Sequence, residues 1–234
     1  MTDEVATRLT VDLPAGPVEV SAAHERPVDP WATIVIAHGA GTGHDHPFLQ
    51  GFARGMREEG VATLRFNFAY VEAGRRMPGP ATHAVAAWRS ALDFAAAHSE
   101  GEPVWASGKS YGGRMASMAV ADVTGLQDAV AGLVYLGYPL HPPGDDTKPR
   151  VAHLPGIRIP QLFVEGTNDP FVAPHSQLED AVASCHDASI AWIEGGGHSF
   201  EVKGRKRAPE DVGHDLAPLV AGFLRERAPV RGIR

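Results

Sequence analysis

The chain has 234 residues, 44% of them hydrophobic, with 21 lysines and arginines against 28 aspartates and glutamates and a formal net charge of −7. That length and apolar content suit a single domain, residues 1–234, with a sizeable core, and the acidic balance argues against a nucleic-acid or anionic-membrane surface. One cysteine, Cys185, excludes an internal disulfide and a thiolate metal cage and suits a reducing compartment.

The first residues carry acids early and no apolar run, so no signal peptide is expected. Nowhere is there an apolar stretch long enough to span a bilayer, and the expected location is cytoplasmic. Arg8–Leu13 and Pro17–Ala22 alternate as a leading antiparallel pair across the turn Pro14-Ala15-Gly16. Ala32–Ala37 is mostly apolar and reads as a strand buried on both faces. It runs into the glycine-rich loop His38–Gly43. Pro47 sits near the start of the next helix, which stops at Gly60. Val61–Phe66 is the following strand, and its exit loop carries Asn67, Tyr70, Glu72, Arg75 and Arg76.

From Pro80 to His98 the apolar residues Ala84, Val85, Trp88, Ala91, Leu92 and Ala95 keep the spacing of one helical face. Val104-Trp105-Ala106 is a short buried strand, and Met115, Ala116, Met118, Ala119 and Val120 form the packed face of a helix ending near Gly125. Ala131–Leu136 and Gln161–Glu165 are further strands, separated by a proline-rich connection, Gly137–Pro160, too polar and broken for a second domain. Pro174–Ser184 reads as a helix and Ile190–Glu194 as the last strand. Asp211–Arg227 closes the pattern as an amphipathic helix in which Pro218 marks either a kink or the true start. The tail after Pro229 is basic and expected to fray. Strands alternating with helices imply an α/β class protein, a mostly parallel doubly wound sheet with helices on both faces. Functional loops then lie beyond the C-terminal ends of the strands.

Between the strand at Val104 and the helix at Met115 stands Gly108-Lys109-Ser110-Tyr111-Gly112, the G-x-S-x-G pattern of a nucleophile elbow. The turn is so tight that the serine takes a strained conformation, and the residues two before and two after must lack side chains. Gly-Lys-Ser is also a fragment of a phosphate loop, but that loop needs a glycine where this chain has Pro103. A serine hydroxyl is nearly un-ionised at neutral pH and requires a base, with a carboxylate to orient the base. Asp169, just past one strand, and His198, on the glycine loop past the last strand, supply them in the order Ser110, Asp169, His198. An oxyanion hole needs two backbone donors. Tyr111 offers one, and Ala40, with Gly41 beside it, the other. Tyr70, Tyr111 and Phe171 are expected as walls of an open, shallow pocket that favours short acyl groups, with Arg75 among the substrate contacts.

The strings His38-Gly-Ala-Gly, Asp45-His-Pro-Phe, Arg65-Phe-Asn-Phe-Ala-Tyr, Gly108-Lys-Ser-Tyr-Gly-Gly-Arg-Met-Ala-Ser, Leu136-Gly-Tyr-Pro-Leu-His-Pro-Pro-Gly and Gly195-Gly-Gly-His-Ser-Phe extend these features. Together they resemble a small, cap-less, dienelactone-hydrolase-like α/β-hydrolase. More narrowly, they resemble the predicted hydrolases related to a testis-expressed protein and to a subunit of the NSL acetyltransferase complex. The resemblance covers roughly residues 30 to 225. It implies a three-layer α/β-hydrolase fold without a cap domain, and it says little of the substrate.

Other residues keep two readings. His44-Asp45-His46 has a metal-like look but lacks a third ligand from elsewhere, so capping and surface roles are favoured and no metal or other cofactor is expected. Arg75 and Arg76 either receive a carboxylate or phosphate or pair with Glu72 and solvent. Lys109 is either a rim charge near substrate or a side chain packed against the loop after Phe66. Two functions follow from different classes. One is a serine hydrolase acting on an ester, thioester or similarly activated acyl bond of a small molecule. The other is a non-catalytic binding or scaffold module on the same fold. Neither implies nucleic acid or membrane, and the oligomeric state is open.

Overall fold

The computed structural model describes residues 4–142 and 144–228. The expected fraying of the tail after Pro229 falls outside these residues. The leading hairpin is β1 (Val5–Leu13) and β2 (Gly16–Glu25), closed by a tight turn whose Leu13↔Gly16 pair puts Gly16 at a φ of 112°. Then come β3 (Ala32–Ala37), α1 (Pro47–Glu58), β4 (Val61–Phe66), α2 (Ala69–Glu72) and α3 (Ala81–His98). The middle of the chain holds β5 (Val104–Lys109), α4 (Tyr111–Asp122), α5 (Leu126–Ala129) and β6 (Gly132–Leu136). It ends with β7 (Gln161–Gly166), α6 (His175–Ala183), β8 (Ala188–Ile193), α7 (Pro209–Asp215) and α8 (Ala217–Arg227).

These strands form one eight-stranded sheet in the order β1-β2-β4-β3-β5-β6-β7-β8. β2 is antiparallel to both its neighbours, and every pairing from β4 through β3 to β8 is parallel. The parallel strands β3, β4, β6 and β7 are buried along their whole length, as expected where helices cover both faces. One face packs Trp88 of α3 and Met115 and Val120 of α4 against Phe66, Tyr135 and Phe163. The other packs Phe52 and Met56 of α1 and Val220 and Leu224 of α8 against Ile34, Trp105 and Val164. The expected three-layer, cap-less α/β architecture is thus the observed one. Among the described residues no helix is long and apolar enough to cross a membrane.

Two details depart from the sequence reading. The short helices α2 and α5 were not expected, each being a single turn too brief to show a period. The terminal helix is two helices meeting at Leu216, and Pro218 opens the second, where its missing N–H costs nothing. Among the described residues, the connection from Gly137 to Pro160 carries a single 3₁₀ turn, Leu154–Gly156, in keeping with the irregular connection expected.

α1 and α7 lie unusually close. A Cβ placed on Gly51 would lie 1.9 Å from the Glu210 carbonyl oxygen, and one on Gly213 would lie 2.0 Å from that of Phe48. The contact sets the N-terminal turns of both helices beside the C-terminal ends of β3 and β5.

Candidate active site

β5 hands the chain to α4 through Ser110, which takes φ 50° and ψ −114°, a conformation worth about 1–3 kcal/mol of strain in a residue with a side chain. The close approach that permits it is visible in the glycines. A Cβ on Gly108 would lie 2.4 Å from the Gly113 nitrogen, and one on Gly112 would lie 2.6 Å from the His38 carbonyl oxygen. Ser110 N–H donates to the Leu136 carbonyl at 3.0 Å, tying the tip to β6.

Asp169 follows β7 and is buried, and His198 follows β8 with 22% of its side chain exposed. Ser110 Oγ lies 2.8 Å from His198 Nε2, and Asp169 Oδ2 lies 2.6 Å from His198 Nδ1. The other carboxylate oxygen, Oδ1, accepts the Phe171 N–H at 2.8 Å. With both oxygens engaged as acceptors, Asp169 fixes the proton on Nδ1 and leaves Nε2 free to accept from the serine. The Phe171 ring packs on the imidazole at 4.2 Å between centroids. Burial lowers the His198 pKa below 6.5 and the Lys109 charge lowers it further, while the bond to Asp169 raises it.

A cavity of about 570 Å³ opens over Ser110 and His198. Ala40 and Thr42 line it, as does Phe171. Tyr111 opens α4, so its N–H is one of the helix's unpaired first donors. Gly41, expected beside Ala40, adopts φ 81° and does not line this cavity. The loop holding Ala40 is anchored by His38, which is fully buried. Its Nε2 accepts the Phe68 N–H at 3.1 Å, so Nδ1 carries the proton and donates to the Gly39 carbonyl at 2.7 Å. Burial holds this imidazole neutral, with its pKa lowered to about 4.

Several expected residues sit elsewhere. Tyr70, Arg75 and the Tyr111 side chain line a second, smaller cavity of about 210 Å³ between the β1–β2 hairpin and α3. Tyr70 and Tyr111 are therefore not walls over Ser110, and Arg75, expected among the substrate contacts, lies in this second cavity as well. The reason is that Phe68, Tyr70 and Tyr111 turn their rings toward one another on the α3 side of the loop. The walls over Ser110 come instead from the first turns of α1 and α7, through Phe48, Leu49, Pro209 and Val212. No pairing of Arg75 with Glu72 is seen. Glu72 accepts from Asn67 Nδ2 at 2.8 Å and from the Ser21 N–H at 2.9 Å. His46 caps α1, its Nδ1 accepting the Phe48 N–H, and the His44 carbonyl accepts from Arg65. Lys109 does not pack against the loop after Phe66. It lines the cavity and donates from Nζ to the His198 carbonyl at 2.6 Å.

The family described as an alpha/beta hydrolase domain matches residues 30–222 of the chain. Among solved structures, a dienelactone hydrolase from Anabaena variabilis is 19% identical, with 97% of this chain and 99% of that one covered and a TM-score of 0.75. A lidless α/β serine hydrolase from Xanthomonas campestris is 20% identical over 97% of each chain, with a TM-score of 0.70. Est1E from Butyrivibrio proteoclasticus is 15% identical over 94% of this chain and 98% of that one, with a TM-score of 0.69.

Proposed function

The chain belongs to the alpha/beta hydrolase domain family, and from that premise we propose that it is a serine hydrolase cleaving an ester, thioester or related activated acyl bond of a small substrate. The single observation that carries this reading is the continuous relay from Ser110 Oγ through the His198 ring to Asp169, at 2.8 and 2.6 Å. A scaffold module has no use for a strained serine aligned in this way. The likeness to the structures above, all below 25% identity, supports the fold alone.

In the proposed reaction His198 Nε2 takes the hydroxyl proton as Ser110 Oγ bonds to the acyl carbon. Asp169 holds the imidazole in place and stabilises its charged form. The carbonyl electron pair moves onto oxygen, where the N–H groups of Tyr111 and Ala40 receive it. Each donor contributes about 3 kcal/mol to the transition state. As the pair returns, the bond to the leaving group breaks and His198 gives that group its proton. Water, deprotonated by the same nitrogen, then releases the acid and restores the serine.

The narrower likeness to hydrolases related to a testis-expressed protein and an NSL complex subunit belongs to the proposal, as do the single-domain organisation, the small-molecule partner and the cytoplasmic location. The proposed activity requires neither a nucleic-acid nor a membrane partner. The test is turnover of a small activated ester such as p-nitrophenyl acetate. Ser110→Ala should lower kcat by a factor on the order of 10⁶ while leaving the fold intact. A Ser110→Ala protein as active as the parent would refute the reading.

A further inference from the structure

We propose that Lys109 is a positioning residue for the general base, gripping the His198 loop from inside the active-site cavity so that the elbow holds both ends of the same residue. The proposal rests on the serine-hydrolase reading above. Elbow residue Ser110 meets the His198 ring at 2.8 Å, and its neighbour Lys109 donates to the His198 backbone carbonyl at 2.6 Å.

The loop has reason to need the second contact. Three glycines, Gly195, Gly196 and Gly197, lead into His198, and such a run has many backbone conformations to lose. Its glycine carbonyls at 195 and 196 are held by Asn168, and Gly197 N–H donates to the Glu201 carbonyl. The His198 carbonyl is held by Lys109. The same ammonium lies 5.6 Å from the centre of the Phe200 ring, and Phe200 is buried with a positive φ of 65°. Lys109 therefore touches the loop at the base itself and two residues beyond it. The space they share is tight. Gly137, at φ 74°, would place a Cβ 3.0 Å from the His198 carbonyl oxygen and 3.1 Å from Lys109 Nζ.

Three carboxyl groups face the ammonium at longer range: Asp169 after β7, Glu165 at the end of β7, and Glu201 on the His198 loop. Glu165 is fully buried, with one oxygen accepting the Tyr138 N–H at 2.5 Å and the other without a partner among the described residues. Burial raises its pKa well above 4.5, which favours the protonated form and leaves Asp169 and Glu201 as the carboxylates whose charge favours the ammonium. His46, at the start of α1, faces it from the cavity's other side. Burial pushes the lysine itself down to about 8, so it is charged at neutral pH. The groups acting on the His198 ring are Lys109, Asp169 and Glu201. The lysine alone opposes protonation of the imidazole by its charge.

The experiment compares the parent protein with Lys109→Met and Lys109→Arg. Two readouts are taken: the pH profile of kcat/KM on p-nitrophenyl acetate, and the NMR titration of the His198 imidazole, assigned by its disappearance in His198→Ala. Displacing a base by about 1 Å costs about a hundredfold, so Lys109→Met should lose between about tenfold and a hundredfold in kcat with little change in KM. Its imidazole pKa, and with it the acid limb of the profile, should move to higher pH because the opposing charge is gone. Lys109→Arg should keep the parent's limb and recover much of the rate. A Met variant with parental kcat overturns the proposal. So does one that is folded and slow but whose imidazole titrates as in the parent, since that is a merely structural loss. If the Met variant fails to fold, Lys109→Gln, which keeps a donor without the charge, is read by the imidazole titration alone: its pKa should rise, and an unmoved imidazole overturns the proposal. The NMR titration needs no turnover, so an unmoved imidazole counts against Lys109 even in an inactive protein. A parent that neither turns over the ester nor labels at Ser110 with a fluorophosphonate counts against the hydrolase reading instead.

Discussion

At the scale of single residues, the chemistry turns on how Asp169 and Lys109 bias one imidazole in opposite directions. Because burial, first, and the lysine charge lower the His198 pKa, its neutral form persists below pH 6.5. Activity on a small ester should therefore fall only as pH drops through that lowered value, placing the acid limb of kcat/KM below about 6.5. Asp169→Asn should keep the fold and lower kcat by a factor on the order of 10⁴, since the proton would no longer be held on Nδ1. An Asn variant with full activity would mean that another carboxylate serves the histidine. Ser110, Asp169 and His198 could be picked out in the sequence because their requirements are local: a glycine two residues to either side of the serine, and loops that follow strands. Lys109 could not be placed. Its partner, the His198 carbonyl, is brought to it only by the pairing of β5, β6, β7 and β8. His38 escaped notice as an anchor for the same reason, since its acceptor role depends on the Phe68 N–H across the sheet end.

At the scale of elements, the sequence pattern located the eight strands and the long helices, whose periods run over many residues, and missed the single-turn helices α2 and α5. Of the three expected pocket walls it placed Phe171 and misplaced Tyr70 and Tyr111. Phe48, Leu49, Pro209 and Val212 lie in the first turns of α1 and α7, far apart in the chain, and meet because Gly51 and Gly213 let the helices nearly touch. Those glycines on helix faces were the one available signal. Under the proposed hydrolase reading, these residues give an acyl chain an apolar wall that the expected preference for short acyl groups did not include. Across p-nitrophenyl esters of increasing length, kcat/KM should rise over the first few methylenes by about fourfold each, the equivalent of about 0.8 kcal/mol. Val212→Phe, which fills the cavity, should flatten that rise while leaving the acetate rate near the parent's. A series that falls from acetate onward in the parent would show that the chain does not reach the α1–α7 wall.

For the whole molecule, stability should be lost in two acid windows. His38 is buried neutral, with a pKa of about 4 against its ordinary 6.5. Between those values the unfolded chain binds a proton that the folded one refuses, so stability falls as pH drops from 6.5 to 4, by about 3 kcal/mol in all, and not further below. His24, His44, His46, His153 and His198 are shifted the same way and steepen that window. Glu102 is opposite in kind. Burial works to raise it, but its bonds to Arg26 and Thr33 prevail and hold it at about 2. Its contribution is present above 4.5 and disappears as pH falls from there toward 2. Urea midpoints at pH 7, 5 and 4 should decline steadily, and His38→Gln should make the decline shallower. An unchanged midpoint between pH 7 and 5 would contradict the buried neutral histidines.

The claim on which the rest depends is that Ser110 is an activated nucleophile. It is tested most directly by treating the native and the heat-denatured protein with a fluorophosphonate probe and locating the adduct by peptide mass spectrometry. Labelling at Ser110 in the native protein, lost on denaturation and in His198→Ala, is the expected result. Native protein left unlabelled, under conditions that label a control esterase, would contradict it.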